Sequence, residues 1–540
     1  MHVEAVFIIL FIVATTVAIA ARRSGIPYTV ALVVTGLVLG AVHAFEPPHL
    51  TRELLFLVFL PGLLFEAAFH LEFRDFWRDR GVVVGLAVPG VVAAIGLVTA
   101  ILVPVTGALP EVANLSWQDA LLFGAVISAT DPIAVVGLFK TLGAPRRLAV
   151  MVEAESLLND GTSIVFYTLV LGIVSGASVA VGGLALAFIK VVGGGLLLGI
   201  AVGVATSLVI QQVDDPMIEI TLTTIAAYGS FVLAEQLGLS GVIGTVTAGM
   251  LCGNYGARTG MSPSTRIAAQ TFWEYLAFAL NSLVFLLIGL QVQLQDLWAS
   301  WAIILAAFIA VSVGRGLVIL GVSGLMRATR QGMPRAFGVV LAWGGLRGAL
   351  SMVLALSLPE SFPHRNLVVT MTFGVVVLSI LIQGLTMAPL LRLVGIVDKS
   401  EHRAAYDRAR GRLLTAHAAL TEIDAMSRER ILPEAIADQL RGDYRVRVSE
   451  VEGDIGKLHL EREQLERDEA RRARRHLLLV EKDRAMEAYR RGTIGRETYD
   501  ALLSDIDGRL VLLDGFNDTT EPEKDAGGPE ARFPNERLRS

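Results

Sequence analysis

Ala129-Thr130-Asp131-Pro132 sits in the middle of an apolar run, residues 117–140. Glu153-Ala154-Glu155-Ser156-Leu157-Leu158-Asn159-Asp160-Gly161 opens the next run, residues 147–175. Pro132 lacks an amide donor, and its ring clashes with the turn before it. Asp131 can accept from the amides so freed. Two readings follow: a proline kink with a hydrogen-bonded Asp, or a helix broken outright. Thr-Asp-Pro at mid-run favours the break, and broken backbone at membrane depth is tolerated only where it lines a protein cavity.

The flanks place this stretch in a membrane. The chain has 540 residues, 53% hydrophobic and 18% charged, with a mean hydropathy of +0.59. Of its 97 Asp, Glu, Lys and Arg, 39 fall in residues 1–397 and 58 crowd into 398–540. A first part so poor in charge cannot present a water-facing surface. The expected fold is an all-α polytopic membrane protein over 1–397. A charge-rich helical cytoplasmic tail follows over 398–514, then a disordered end over 515–540. A soluble enzyme, a disordered scaffold and a disulfide-rich secreted domain are excluded. Cys252 is alone and makes no internal disulfide. A net charge of −5 gives no case for a nucleic-acid partner.

A span needs about 20 mostly apolar residues. Candidate stretches lie near 3–21, 27–45, 53–70, 80–107, 117–140, 147–175, 181–211, 217–236, 239–254, 269–291, 298–324, 334–358 and 365–395. The expectation is therefore about thirteen transmembrane helices. The first lacks a basic leader and a convincing cleavage site, so it reads as a span rather than a signal peptide. Loops after odd-numbered stretches hold most of the Arg and Lys, from Arg22 and Arg23 through Arg146 and Arg147 to Arg335. Loops after even-numbered stretches hold Arg52 and Arg365. Positive charge marks the cytoplasmic side. The N-terminus is thus expected outside and the C-terminus inside, in the cell membrane.

An ionisable group in a membrane helix is costly and is a functional hypothesis by default. Those here are Glu66, Asp131, Glu153, Glu155, Asp160, Lys190, Arg315 and Arg347. Ser156 and Asp160 are four apart and share a helix face, and Asn159 lies beside it, four from Glu155. A carboxylate, a hydroxyl and an amide carbonyl are hard oxygen ligands suited to a small cation such as Na⁺. The structural alternative is that both carboxylates are salt-bridged. Glu66 is either part of the same site or a residue reaching toward the aqueous boundary. Arg315 needs an acid partner, with Glu155 the best candidate. Arg347, in Trp343-Gly344-Gly345-Leu346-Arg347-Gly348, suggests a second unwound helix, with Asp131 as a plausible partner.

The two interrupted stretches are the fifth and the twelfth. If stretches 1–6 and 8–13 are repeats, each break falls in the fifth helix of its repeat, and the odd offset inverts one repeat. Corresponding interrupted helices in inverted repeats point to the midplane site of a secondary transporter.

Ala129-Thr-Asp-Pro132, Glu155-Ser-Leu-Leu-Asn-Asp160 and Gly344-Gly-Leu-Arg-Gly348, in this order, resemble the signatures of the monovalent cation/proton antiporters. That family includes bacterial sodium/proton antiporters and animal sodium/hydrogen exchangers. The resemblance covers about residues 1–397. It implies thirteen helices, a dimerisation subdomain, a mobile core with crossed broken helices, and a homodimer. It also implies that Asp160 binds the cation and the proton in turn, supported by Asn159, Ser156 and Thr130. Glu66 matches a position where bacterial members often carry a further acid. Glu155 with Arg315 is the implied structural ion pair, and Asp131 with Arg347 is implied to neutralise the crossed helix ends.

One carboxylate exposed alternately to each side can hold a cation or a proton, not both well, because each disfavours the other. Competition at Asp160 couples the two flows. With Asn rather than an acid at 159, one proton per cation is expected, hence electroneutral exchange of Na⁺ or Li⁺ for H⁺ serving pH and sodium homeostasis. A K⁺/H⁺ antiporter is the nearest rival, and a membrane sensor signalling through the tail is a rival of another class. No cofactor is expected beyond the transported ions, and no enzyme activity. In the tail, residues 433–490 read as helical, Arg471–Arg475 as a solvated face and Thr493–Leu513 as a short helical pair.

Overall fold

The computed structural model describes residues 3–24, 27–42, 52–108, 115–176, 181–326, 333–397, 401–429, 431–457, 474, 477–478, 480–489, 491 and 493–515. It divides into two compact units, Met1–Asp398 and Lys399–Ser540. Among the described residues all regular structure is helical.

The first unit runs α1 (Val3–Ser24), α2 (Tyr28–Ala41), α3 (52–70) and α4 (Phe73–Gly107). Next come α5 (Trp117–Val126), α6 (Ile133–Leu142), α7 (Arg146–Val174) and α8 (Val181–Ile210). Then follow α9 (Pro216–Gln236), α10 (241–259), α11 (Pro263–Gln291) and α12 (Leu294–Ala299). The unit ends with α13 (Trp301–Met326), α14 (Arg335–Trp343), α15 (Ala349–Leu356) and α16 (Arg365–Leu393). A helix satisfies its own backbone groups, which is what a lipid environment demands of a single segment.

Seven helices among the described residues are continuous and apolar enough to cross a bilayer: α4, α7, α8, α9, α11, α13 and α16. The thirteen expected from composition therefore do not all appear as full-length spans. Residues 8–21 of α1, 55–70 of α3, and the helices over 28–41 and 133–142 are shorter apolar helical stretches. Two stretches are each cut into half-length helices, α5 with the short apolar α6, and α14 with α15. Pro132 and the glycines at 344, 345 and 348 lie at those cuts, where backbone bonding cannot continue. Single π-helical turns interrupt α3, α4, α10 and α16, at Leu55–Phe59, Leu86–Gly90, Cys252–Gly256 and Ser379–Gln383. Such turns are frequent at functional sites.

The two cuts meet. The Asp131 amide donates to the Leu346 carbonyl at 2.8 Å, joining one interruption to the other. Gly348 is required there, because a Cβ on it would lie 2.4 Å from Asp131 Oδ2.

Polar contacts also sort the connections into two ends. At one end Arg146 reaches Glu72 at 2.7 Å and Asp75 at 3.2 Å, and Arg147 reaches Asp79 at 2.7 Å. Asn254 of α10 joins them, donating to the Leu71 carbonyl at 2.9 Å and accepting from the Phe73 amide at 2.9 Å. The turns after α3, after α6 and within the end of α10 thus lie together. At the other end Ser116 and Asp119 form a capping box on α5, and Asp119 meets His364, which precedes α16, at 3.1 Å.

The second unit contains α17 (Glu401–Arg428), α18 (Glu434–Lys457) and α19 (Arg496–Gly515). The α17–α18 pair is held at its turn by Arg441, which reaches Asp424 at 2.8 Å, Glu434 at 3.1 Å and Asp438 at 2.6 Å. Where the spacing predicts a helical pair over 493–513, a single helix forms. Gly508 is the weakest former near its centre, and a lone glycine costs only about 1 kcal/mol in a helix. Most of Arg471–Arg475, the loop arginines at 327 and 330, and residues 516–540 lie outside the described residues.

Candidate cation and proton site

α7 starts after Pro145 and carries Glu153 to Gly161 on its first half. It passes directly beside the gap between α5 and α6, and its side chains replace the backbone partners missing there. The Asn159 amide group donates to the Ser128 carbonyl at 3.0 Å and to Thr130 Oγ1 at 2.9 Å. Its own carbonyl oxygen accepts from Ser163 Oγ at 2.8 Å. Ser156 Oγ makes a short hydrogen bond to the Thr130 carbonyl. Thr130, Ser156 and Asn159 are all buried. The broken backbone is thus stitched to α7 by three hydrogen bonds.

The helix ends exposed by the cuts are met by opposite charge. Carbonyls at a helix C-terminus carry partial negative charge and favour a cation, while N-terminal amides favour an anion. Arg347 is 5% exposed, and its Nη1 donates to the Ser128 carbonyl at 2.9 Å and the Ala129 carbonyl at 3.2 Å, beyond the end of α5. Arg315 donates from Nε to the Leu341 carbonyl at 3.1 Å, in the last turn of α14. Asp131 accepts from the Ile133 amide at 3.0 Å, at the start of α6. Its Oδ2 lies against Gly348, at the start of α15. Each carbonyl end therefore has a guanidinium and each amide end shares one carboxylate. Asp131 and Arg347 act on backbone at opposite helix ends rather than on each other.

Glu155 and Arg315 form a two-pronged ion pair, with Nη1 to Oε1 and Nη2 to Oε2 both 3.1 Å. Glu155 lies on the opposite side of α7 from Asp160, consistent with their spacing of five.

Asp160 itself borders a cavity of about 110 Å³, together with Glu66, Thr130, Asp131, Glu153, Ser156 and Asn281. It is only partly covered, and no hydrogen bond or ion pair to its carboxylate occurs among the described residues. The cavity has room for several water-sized occupants. Its other walls are apolar, from Leu55 and Leu60 of α3 to Val284 of α11.

Glu66 projects from α3 into the same cavity and sits 3.3 Å from His70 Nδ1, one turn on. His70 Nδ1 is also 2.9 Å from the Glu66 carbonyl, and Nε2 is 3.8 Å from Glu274. His70 and Asn281 are additions that sequence reasoning did not single out. The i,i+4 spacing of Glu66 and His70 was an available signal. Nothing local marks Asn281, which reaches the cavity only because α11 packs there. Lys190 is exposed on α8, away from this cluster.

This arrangement offers a carboxylate with uncommitted lone pairs, hydroxyl and carbonyl oxygens within one cavity, and further acids along its wall. Those are hard oxygen donors of the kind that take a small monovalent cation or a proton.

Comparison with known proteins agrees. A family model described as sodium/hydrogen exchanger, transmembrane, matches residues 7–393. The chain is 38% identical over 416 residues to the Na⁺/H⁺ antiporter ApNhaP of Aphanothece halophytica, covering 77% of this chain and 78% of that protein. It is 34% identical over 465 residues to the Na⁺/H⁺ antiporter NhaG of Bacillus atrophaeus, covering 84% and 86%. Among solved structures, the sodium proton antiporter MjNhaP1 from Methanocaldococcus jannaschii at pH 8 shares the fold. Its TM-score is 0.59 at 20% identity, covering 73% of this chain and 100% of that one. The chain belongs to the sodium/hydrogen exchanger family, whose members are secondary transporters rather than enzymes.

Proposed function

We propose that this protein exchanges Na⁺ or Li⁺ for H⁺ across the cell membrane by alternating access, one for one, with Asp160 as the shared carrier. The observation behind this reading is that Asp160 borders the cavity without a protein donor, while the polar groups of Asn159 and Glu155 are committed to neighbours. A carboxylate in that position is free to trade a proton for a cation. A bound proton removes the charge that attracts Na⁺, and bound Na⁺ disfavours protonation. Coupling then needs no separate relay.

Thr130 and Ser156 supply ligand oxygens beside Asp160 in this mechanism, and Glu66 and Glu153 draw cations into the cavity. Asn159 is structural and carries no titratable proton, so each turnover moves one charge each way and is electroneutral. Asp131, Arg347, Glu155 and Arg315 hold the crossing in shape. The topology proposed is thirteen crossings, with the shorter and interrupted helices completing those that are full length. The N-terminus is then outside, the charged tail is cytoplasmic, and the protein works as a homodimer in pH and sodium homeostasis.

The test is ion-driven pH change in proteoliposomes. Na⁺ and Li⁺ gradients should alkalinise or acidify the lumen at a rate insensitive to a clamped membrane potential, and Asp160→Asn should abolish the signal in folded protein. Retained exchange in Asp160→Asn excludes Asp160 as carrier. A rate that follows the potential excludes one-for-one exchange, and a response to K⁺ equal to that for Na⁺ excludes sodium selectivity.

A further inference from the structure

On the side of the crossing away from Asp160, three buried polar atoms have no hydrogen-bond partner among the described residues: Arg347 Nε, Ser312 Oγ and Gln383 Oε1. They come from three separate elements: the gap between α14 and α15, α13, and the π-helical turn of α16. All three residues line one cavity of about 10 Å³. Leaving a buried donor or acceptor unpaired is costly. Three of them around one small space point to a common partner that the protein itself does not supply.

The size and the chemistry select that partner. A cavity of this volume holds about one water, and a buried water makes about three hydrogen bonds to otherwise unsatisfied groups. Arg347 Nε–H can only donate, Gln383 Oε1 can only accept, and Ser312 Oγ can do either. A water molecule matches this set, accepting from Arg347, donating to Gln383 and sharing its remaining capacity with Ser312. A cation is disfavoured because the guanidinium groups of both Arg347 and Arg315 border the cavity. A halide has no proton to donate to Gln383 Oε1, and chloride is also larger than the single water the space fits.

We propose that this cavity is a binding site for one ordered internal water, which ties α13 and α16 to Arg347. Arg347 caps the carbonyl end of α5 through Nη1, and its amide is held by Ser379 Oγ at 3.1 Å. The water completes this set at Nε and fixes the plane of the guanidinium. The site is independent of which ion the protein carries, so it stands or falls apart from the transport mechanism.

Two measurements test it. The first is a structure of the full-length protein in lipid nanodiscs at a resolution that shows ordered water. One density peak within hydrogen-bond reach of Arg347 Nε, Ser312 Oγ and Gln383 Oε1 is expected. A dry cavity with the side chains unmoved overturns the proposal, as does a direct Arg347–Gln383 bond with the cavity closed. The second is a thermal-unfolding cycle of Ser312→Ala, Gln383→Leu and the double variant. If one water serves both groups, each single variant lowers the unfolding temperature and the double falls little further. Losses that simply add overturn the shared site.

Discussion

Glu155 and Arg315 are 160 positions apart in sequence yet meet fork to fork, both nitrogen–oxygen distances 3.1 Å, with Arg315 also holding the Leu341 carbonyl. The pair joins α7, which carries Asp160, to α13 and to the last turn of α14. Both side chains are almost fully covered, 4% and 11% exposed. Removing one partner leaves the other charge buried and alone, at a cost of about 3–5 kcal/mol. Glu155→Leu and Arg315→Leu should therefore each lower the unfolding temperature sharply in detergent. The double variant should recover part of the loss. Additive losses in the double variant would show that the two groups do not act as a pair.

Gly348 bears on exchange through contact rather than flexibility. A methyl group there would meet Asp131 Oδ2 at 2.4 Å and Asp131 Cβ at 2.5 Å. Gly348→Ala should displace Asp131 from the start of α6, reduce exchange at least tenfold and destabilise the fold. Gly137 is the control, since it lies on α6 with nothing within 4 Å of its Cβ direction. Gly137→Ala should keep exchange and gain up to about 1 kcal/mol in helix propensity. Equal effects of the two substitutions would remove the steric argument.

Competition for Asp160 fixes the sign of a pH effect. Protons occupy the carboxylate as pH falls, so the apparent KM for Na⁺ should rise with acidity while the maximal rate at saturating Na⁺ changes less. In the range where Asp160 is mostly protonated, the rise approaches about tenfold per pH unit, as simple competition for one group requires. Initial rates in proteoliposomes at equal pH on both sides measure it. A pH effect confined to the maximal rate would contradict a shared site.

The tail gives a prediction outside the membrane. Hydrogen bonds from Ser427 and then Arg441 lower the pKa of Glu434 below its ordinary value. An acid depressed on folding stabilises above its unfolded pKa and loses that contribution as pH falls through the folded value. The α17–α18 turn should thus be firm at neutral pH and loosen below the ordinary carboxylate range. Arg441→Ala should loosen it at neutral pH by removing three ion pairs at once. Amide hydrogen exchange of residues 424–441 in the full-length protein reads both effects. Unchanged protection in Arg441→Ala would show that apolar packing holds the turn.

Much of the site was written in short-range sequence. Pro132 after Asp131 marked a break because proline removes a donor wherever it sits in a helix. Ser156, Asn159 and Asp160 lay on neighbouring faces by helix geometry alone, and they do surround the break. What short-range spacing could not supply was direction. Asp131 and Arg347 read as each other's partner, since opposite charges in apolar runs attract. In the folded chain each binds backbone at an exposed helix end. Those ends exist only after both helices have broken and crossed. Asn281 reaches the cavity by the packing of α11, and His70 meets Glu66 by its place in the last turn of α3.

The sequence by itself determined that residues 1–397 are helical and apolar, that the charge lies in the tail, and that two stretches are interrupted. These follow from composition, periodicity and the local chemistry of proline and glycine, which act over a few residues. Only the tertiary structure decided which carboxylate is left uncommitted. Glu155 and Asp160 are chemically similar and five residues apart. Their difference arises because α13 brings a guanidinium to one side of α7, while the α5–α6 gap and α3 leave a cavity on the other. Partner assignment depends on contacts between residues far apart in the chain, and no local pattern encodes those.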